Sequence, residues 1–136
     1  MVEIPVEVMK VINDPKAVKV ITTVSANGVL HSIRAGSIIA PAPNMIAVGA
    51  ILMKTTAKNI ENMKKHDQQV AVLVGSEMTS YLIMAKIADG HKSGPLFDGM
   101  NEELKKMGLQ AREVLTFVPT GVWNQSANYD AGKKMV

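Results

Sequence analysis

The sequence predicts a mainly β protein, a six-stranded antiparallel barrel with helices inserted between some of its strands. Three observations lead there. Short segments rich in β-branched and apolar residues recur along the chain, most are joined by hairpin-length connections, and only two longer stretches carry helical periodicity after the first strands. Closing such a sheet into a barrel removes edges that would otherwise invite aggregation. At 136 residues the chain is expected to form one domain over 1–136, with the polar residues 124–136 as a loosely held C-terminal tail.

In chain order, Ile4, Val8, Val11 and Ile12 recur at helical spacing behind Pro5, predicting a short amphipathic helix over 5–12 that Asn13-Asp14-Pro15 ends. Residues 18–25 form a first strand, and Asn27-Gly28 signals a tight hairpin turn. A second strand is read over 29–40. Its alternate residues Leu30, Ser32, Arg34, Gly36 and Ile38 share one face, so Arg34 has small neighbours on either side. An anionic ligand could lie over Ser32, Arg34 and Gly36; equally, Arg34 could be a solvated strand arginine with Gly36 at a bulge or barrel corner.

A proline-rich loop at 41–44 precedes a third, nearly continuous apolar strand over 45–52. An amphipathic helix then begins at Lys54, with Ala57, Ile60 and Met63 on one face, Glu61 and Lys65 spaced to pair, and His66-Asp67 closing it. Residues 69–75 are apolar on both faces and predict a central fourth strand, 80–88 a fifth, and 89–94 a mobile loop. Pro95 opens a second long helix with Leu96, Met100, Leu104 and Met107 in its stripe and Gly108 beyond its end. A sixth strand spans 112–123, where Pro119 and Gly121 suggest a kink or a sheet edge.

Composition narrows the chemistry. With no cysteine there is no disulfide framework, thiolate nucleophile or cysteine-ligated metal, which suits a reducing interior, and cytoplasm is the expectation. No apolar run approaches the roughly 20 residues needed to span a bilayer, so no membrane partner is expected. A net charge of +3 permits anionic partners, but five aromatic residues leave little for base stacking, and nucleic acid is not the expected ligand. The phosphate loops G-x-x-x-x-G-K-[ST] and G-x-G-x-x-G are absent. His31, His66 and His91 are mutually isolated and no metal site is predicted; the serines sit in no nucleophile elbow, and no residue is assigned as a catalytic acid, base or nucleophile. A chain of this kind acts as an enzyme only if a cofactor carries the chemistry.

The residues best placed for such a role are Lys54, Thr55 and Thr56. An apolar strand ends there, a cation and two hydroxyls follow, and a helix begins, whose first peptide N–H groups are unpaired and carry partial positive charge. The same residues also fit a threonine-capped helix with a solvated lysine face.

The order of strand, Asn-Gly hairpin, arginine-bearing strand and apolar strand, followed by Lys54-Thr55-Thr56-Ala57-Lys58-Asn59-Ile60-Glu61-Asn62 and the Val-rich strand Gln69-Val70-Ala71-Val72-Leu73-Val74, resembles the FMN-binding split-barrel family related to pyridoxamine 5′-phosphate oxidase over roughly residues 8–123. The resemblance implies a split-barrel fold and a homodimer with two FMN sites at the interface. It makes Lys54, Thr55 and Thr56 contacts of the flavin phosphate, joined by Arg34 and Lys58, and it places Ile51 and Leu52, in the segment before the turn, along the flavin ring. Trp123 is read as a core or interface residue, or as one that approaches the flavin from the partner chain. Unlike the true oxidases, this chain has hydroxyls where they carry further basic residues in the turn and lacks their basic C-terminal substrate-binding segment. The implied function is a small FMN-dependent oxidoreductase with a small-molecule or protein electron donor. Alternatives are a non-enzymatic FMN electron carrier, a barrel holding haem or a deazaflavin, and a nucleic-acid-binding barrel.

Overall fold

The computed structural model describes residues 2–136. Its elements are α1 (Val6–Ile12), β1 (Val18–Val24), β2 (Leu30–Arg34), β3 (Ile39–Ala42), β4 (Met45–Gly49), α2 (Lys54–Lys65), β5 (Gln69–Ser76), β6 (Thr79–His91), α3 (Pro95–Lys105) and β7 (Val114–Asn124). The seven strands form one antiparallel sheet in the order β2-β1-β5-β6-β7-β4-β3.

That order dictates a barrel. The two edge strands, β2 and β3, are consecutive in the chain and joined only by residues 35–38. Laid flat, seven strands would hold their edges roughly 29 Å apart, whereas the link from Arg34 to Ile39 reaches at most about 17 Å. The sheet must therefore curl until its edges meet. No ladder joins β2 to β3, so the barrel is split at that seam. Point contacts fasten the corner instead: the Ala35 N–H donates to the Lys19 carbonyl and Lys19 Nζ to the Ile38 carbonyl, each at 2.9 Å, while Ser37 Oγ bonds the backbone of Gly49 at 3.2 Å.

Period-two alternation sends Ile21, Val70, Val72, Val74, Ile83 and Val122 inward, where they meet Phe117 of β7, Val8 and Ile12 of α1, and Ile60 and Met63 of α2. Helix α3 makes a second cluster outside β4 and β7, where Met100 and Leu104 pack on Ala47, Ala111 and Val114. Gly49 permits this approach, since a Cβ there would lie 3.2 Å from the Ala111 Cβ.

The outer face of the rest of the sheet is open. Cross-strand register aligns Arg34, Val20, Leu73, Leu82 and Trp123 in one row across five strands. Leu73 on this row is 42% exposed although its strand is interior to the sheet, and Leu30 and Val18 nearby are 73% and 45% exposed.

Several sequence expectations are corrected. Among the described residues there are seven strands rather than six, because the segment read as one strand over 29–40 breaks at residues 35–38, where it crosses the seam. The hairpin at Asn27-Gly28, by contrast, forms as expected between Ser25 and Val29, as a three-residue loop: Gly28 N–H donates to the Ser25 carbonyl, Ser25 N–H to the Val29 carbonyl, and only Gly28 takes positive φ, at 80°. Strand β4 stops at Gly49, so Ile51 and Leu52 lie outside it. Strand β6 runs on to His91 through a register shift between Ile87 and Gly90, absorbing half of the expected loop. Pro119 sits beside a second register shift in β7, beyond the stretch paired with β4, where its missing N–H costs no ladder bond. Glu61 and Lys65 form no ion pair. The C-terminal residues are pinned rather than loose: Lys134 bridges to Trp123, Met135 N–H donates to the Val122 carbonyl at 2.7 Å, and buried Ser126 bonds Ser80.

Candidate functional site

Helix α2 begins abruptly. Met53 occupies the position before its first turn, no side chain caps it, and its first intrahelical bond runs from the Ala57 N–H to the Met53 carbonyl. The N–H groups of Lys54, Thr55 and Thr56 thus have no partner among the described residues. Neither threonine serves as the cap that the sequence also allowed. Thr56 is 1% exposed and its Oγ1 is the one buried side-chain oxygen or nitrogen without a partner among the described residues. Lys54, Thr55 and Lys58 are exposed.

The link into this helix is irregular. Leu52 holds φ of 48°, a conformation uncommon for a residue other than glycine, and is 95% exposed. Ile51 is half-buried, and neither residue makes a backbone–backbone hydrogen bond among the described residues. Behind the link the helix is held firmly: Asn59 Nδ2 donates to Thr23 Oγ1 at 3.1 Å, both residues being buried, and the Val24 N–H approaches Met63 Sδ at 3.4 Å.

Along one flank of α2 runs a cleft of about 860 Å³, bounded opposite by the ends of β6 and β7. Lys54, Lys58, Lys64, Lys92 and Arg112 line it, against Glu61, Asp89 and Glu113, and none of these eight makes an ion pair among the described residues. A smaller recess of about 230 Å³ shares Lys54 and Arg112 with Ile51, Leu52 and Met53. Arg112 is the cation that sequence reasoning missed. It arrives beside Lys54 because its N–H pairs with the Ala50 carbonyl and the Ala50 N–H with the Glu113 carbonyl. That juxtaposition depends on strand pairing between residues some sixty positions apart, for which local periodicity carries no signal.

The other candidates lie elsewhere. Arg34 is exposed on the outer face of β2, makes no side-chain hydrogen bond or ion pair among the described residues, and does not line the cleft that holds Lys54 and Lys58. The Ser32 hydroxyl, on the same face, is bonded to Thr22 Oγ1 at 2.8 Å. Thr55 sits four residues before Asn59, on the flank of α2 turned toward β1, whereas Lys54 and Lys58 share the flank of the cleft. Trp123 is half-buried on the outer sheet face, at the far end of the row that begins with Arg34; its ring lies over Gly121, and Lys134 Nζ stands 5.5 Å from its centroid. Among the described residues no three His, Asp or Glu side chains gather as a metal site would need, and no helix is long and apolar enough to cross a membrane.

Unpaired amides and cations give the start of α2 a donor set that suits a phosphate, whereas the buried Thr56 hydroxyl lines neither the cleft nor the recess. A phosphorylated flavin fits that set in charge, and the adjoining cleft falls within the usual volume range of small-molecule sites.

No protein-family model matches the chain, and neither does any curated protein. Solved structures do. HupZ of Group A Streptococcus superposes with a TM-score of 0.76 at 14% identity, over 95% of this chain and 99% of its own. An FMN-binding protein of Syntrophomonas wolfei gives 0.75 at 12% identity, over 88% of this chain and 84% of its own. A candidate pyridoxamine 5′-phosphate oxidase of Lactobacillus delbrueckii gives 0.69 at 16% identity, over 89% and 93%. At such identities the likeness is one of architecture: the chain has the split-barrel fold of FMN-binding proteins of the pyridoxamine 5′-phosphate oxidase type.

Proposed function

We propose that this protein is a small FMN-binding flavoprotein that works as an oxidoreductase, with Lys54, Thr55 and Thr56 at the flavin phosphate. The observation that carries the reading is the start of α2, where three N–H groups without a partner among the described residues occur together with the Lys54 and Arg112 cations, the buried Thr56 hydroxyl lying behind them. A phosphomonoester carries nearly two negative charges at neutral pH and presents acceptors that complement these donors. FMN, when bound, would supply the electron or hydride transfer that no side chain here can supply. The chain's own residues bind and orient it: Lys54 gives a point charge, Thr55 a hydroxyl, and the irregular Ile51-Leu52 link offers free backbone groups to the polar edge of a ring.

The reading includes a homodimer formed through the open outer sheet face. A two-fold axis near Leu73, the middle of the aligned row, would set Arg34 of one chain toward Trp123 of its partner, so that both residues take part in a site neither chain completes alone. The electron donor is a small molecule or a protein partner, and the working compartment is the cytoplasm. A non-enzymatic electron carrier is the alternative within the same cofactor class.

The test is FMN titration of purified protein, followed by quenching of flavin fluorescence. Arg34→Ala combined with Lys54→Ala should weaken binding by several kcal/mol, each charge-assisted bond contributing about 1.5–3 kcal/mol. Unchanged affinity in the double variant would remove the phosphate assignment. Anaerobic reduction with NADH and NADPH then separates an enzyme, which turns over, from a carrier, which reacts slowly with both.

A further inference from the structure

A second cavity, of about 560 Å³, lies at the seam of the barrel, between α3 and the corner that joins β2 to β3. Its walls are mainly apolar, with Ile39, Pro41, Leu96, Met100, Leu104 and Met107 prominent. One buried cation belongs to it. Lys19 lines the cavity yet is only 3% exposed, unusual for a residue that almost never loses its water without a partner.

The hydrogen-bond inventory around Lys19 is incomplete. An ammonium has three donors, and the one bond found is Nζ to the Ile38 carbonyl at 2.9 Å. Lys19 makes no ion pair among the described residues; Asp14 is near enough to be felt electrostatically without closing one. The other polar side chains at the cavity are already committed: Asn13 bonds both backbone groups of Ala40, Ser37 bonds Gly49, and Glu103 pairs with Lys106 at the surface. Lys106 also lines the rim but is solvent-exposed, so the buried spare polar capacity resides in the Lys19 ammonium, set against an apolar chamber. A buried, under-partnered charge is costly, and an anion beside it would offset much of that cost.

We propose that this cavity is a binding site for a small apolar carboxylate, the carboxylate bonding Lys19 and the hydrocarbon body filling the space under α3. The site is separate from the cleft along α2, with which it shares no lining residue. Gly99 provides an independent handle. It lies on the cavity wall within α3, and a Cβ there would meet nothing within 4 Å, so a larger side chain meets no obstacle at its base.

The test uses hexanoate and its neutral amide, hexanamide, by saturation-transfer NMR on the full chain, loaded with FMN where it binds. Hexanoate should bind at least about tenfold more tightly than hexanamide, and Lys19→Met should bring the two to parity. Gly99→Phe should abolish binding of both while leaving FMN affinity unchanged, and it decides the matter alone if Lys19→Met does not fold. Equal affinity of the two probes for the unmodified protein, no binding at millimolar concentration, or hexanoate binding undiminished in Gly99→Phe would overturn the proposal.

Discussion

Thr56 and Lys19 are the two residues whose surroundings are least settled energetically. A buried hydroxyl without a partner costs about 1–3 kcal/mol. Thr56→Val, which keeps the shape and removes the hydroxyl, should therefore raise the stability of the flavin-free protein by about 1 kcal/mol in urea unfolding while lowering FMN affinity. Burial holds the Lys19 amine below its ordinary value, against a smaller opposing effect of Asp14. Because the folded value is depressed, the unfolded chain binds more protons between that value and 10.5, and stability rises with pH across that window. Lys19→Met should flatten the rise, which unfolding curves collected at several alkaline pH values would show. Neither residue stood out in the sequence in this way. Thr56 could equally have been a cap, and Lys19 sits in an ordinary strand pattern, since burial of a lysine at a seam depends on which strands meet there.

Among the elements, α2 was the most legible, because a helix start with its cation, hydroxyls and apolar stripe is a local pattern. What precedes it was not. Residues 45–52 are continuously apolar and read as one strand, but pairing with β7 ends at Gly49, and the chain must turn through Leu52 at positive φ to enter the helix. Leu52→Gly should relieve that conformation, leaving stability within about 1 kcal/mol of the parent, while loosening the link and weakening flavin binding; matched thermal melts and FMN titrations would reveal the split. The break within residues 29–40 was hidden for the same reason. Ala35, Gly36 and Ser37 are compatible with a strand, and only closure of the barrel makes them a corner. Arg112 likewise entered the site through pairing rather than local pattern. Asn59→Ala, which removes the brace between α2 and β1, should cost about 1–3 kcal/mol by leaving the buried Thr23 hydroxyl unpaired.

At the scale of the molecule, the β-rich antiparallel class and both long helices follow from periodicity and turn chemistry, whereas the seven-strand order, the seam and the open sheet face follow from long-range pairing. The open face makes the homodimer testable. Leu73→Glu places a charge at the middle of the exposed row, so sedimentation should find the parent dimeric and the variant monomeric; a parent that sediments as a monomer would remove that interface.

The phosphate site proposed at the start of α2 is tested most directly by FMN titration of the parent protein beside Lys54→Ala and Thr55→Val. Saturable quenching at one flavin per chain, weakened about tenfold or more by each substitution, is the expected result. The contrary result is a protein that shows no flavin absorption when purified and no quenching when FMN is added, or one whose affinity is untouched by both substitutions.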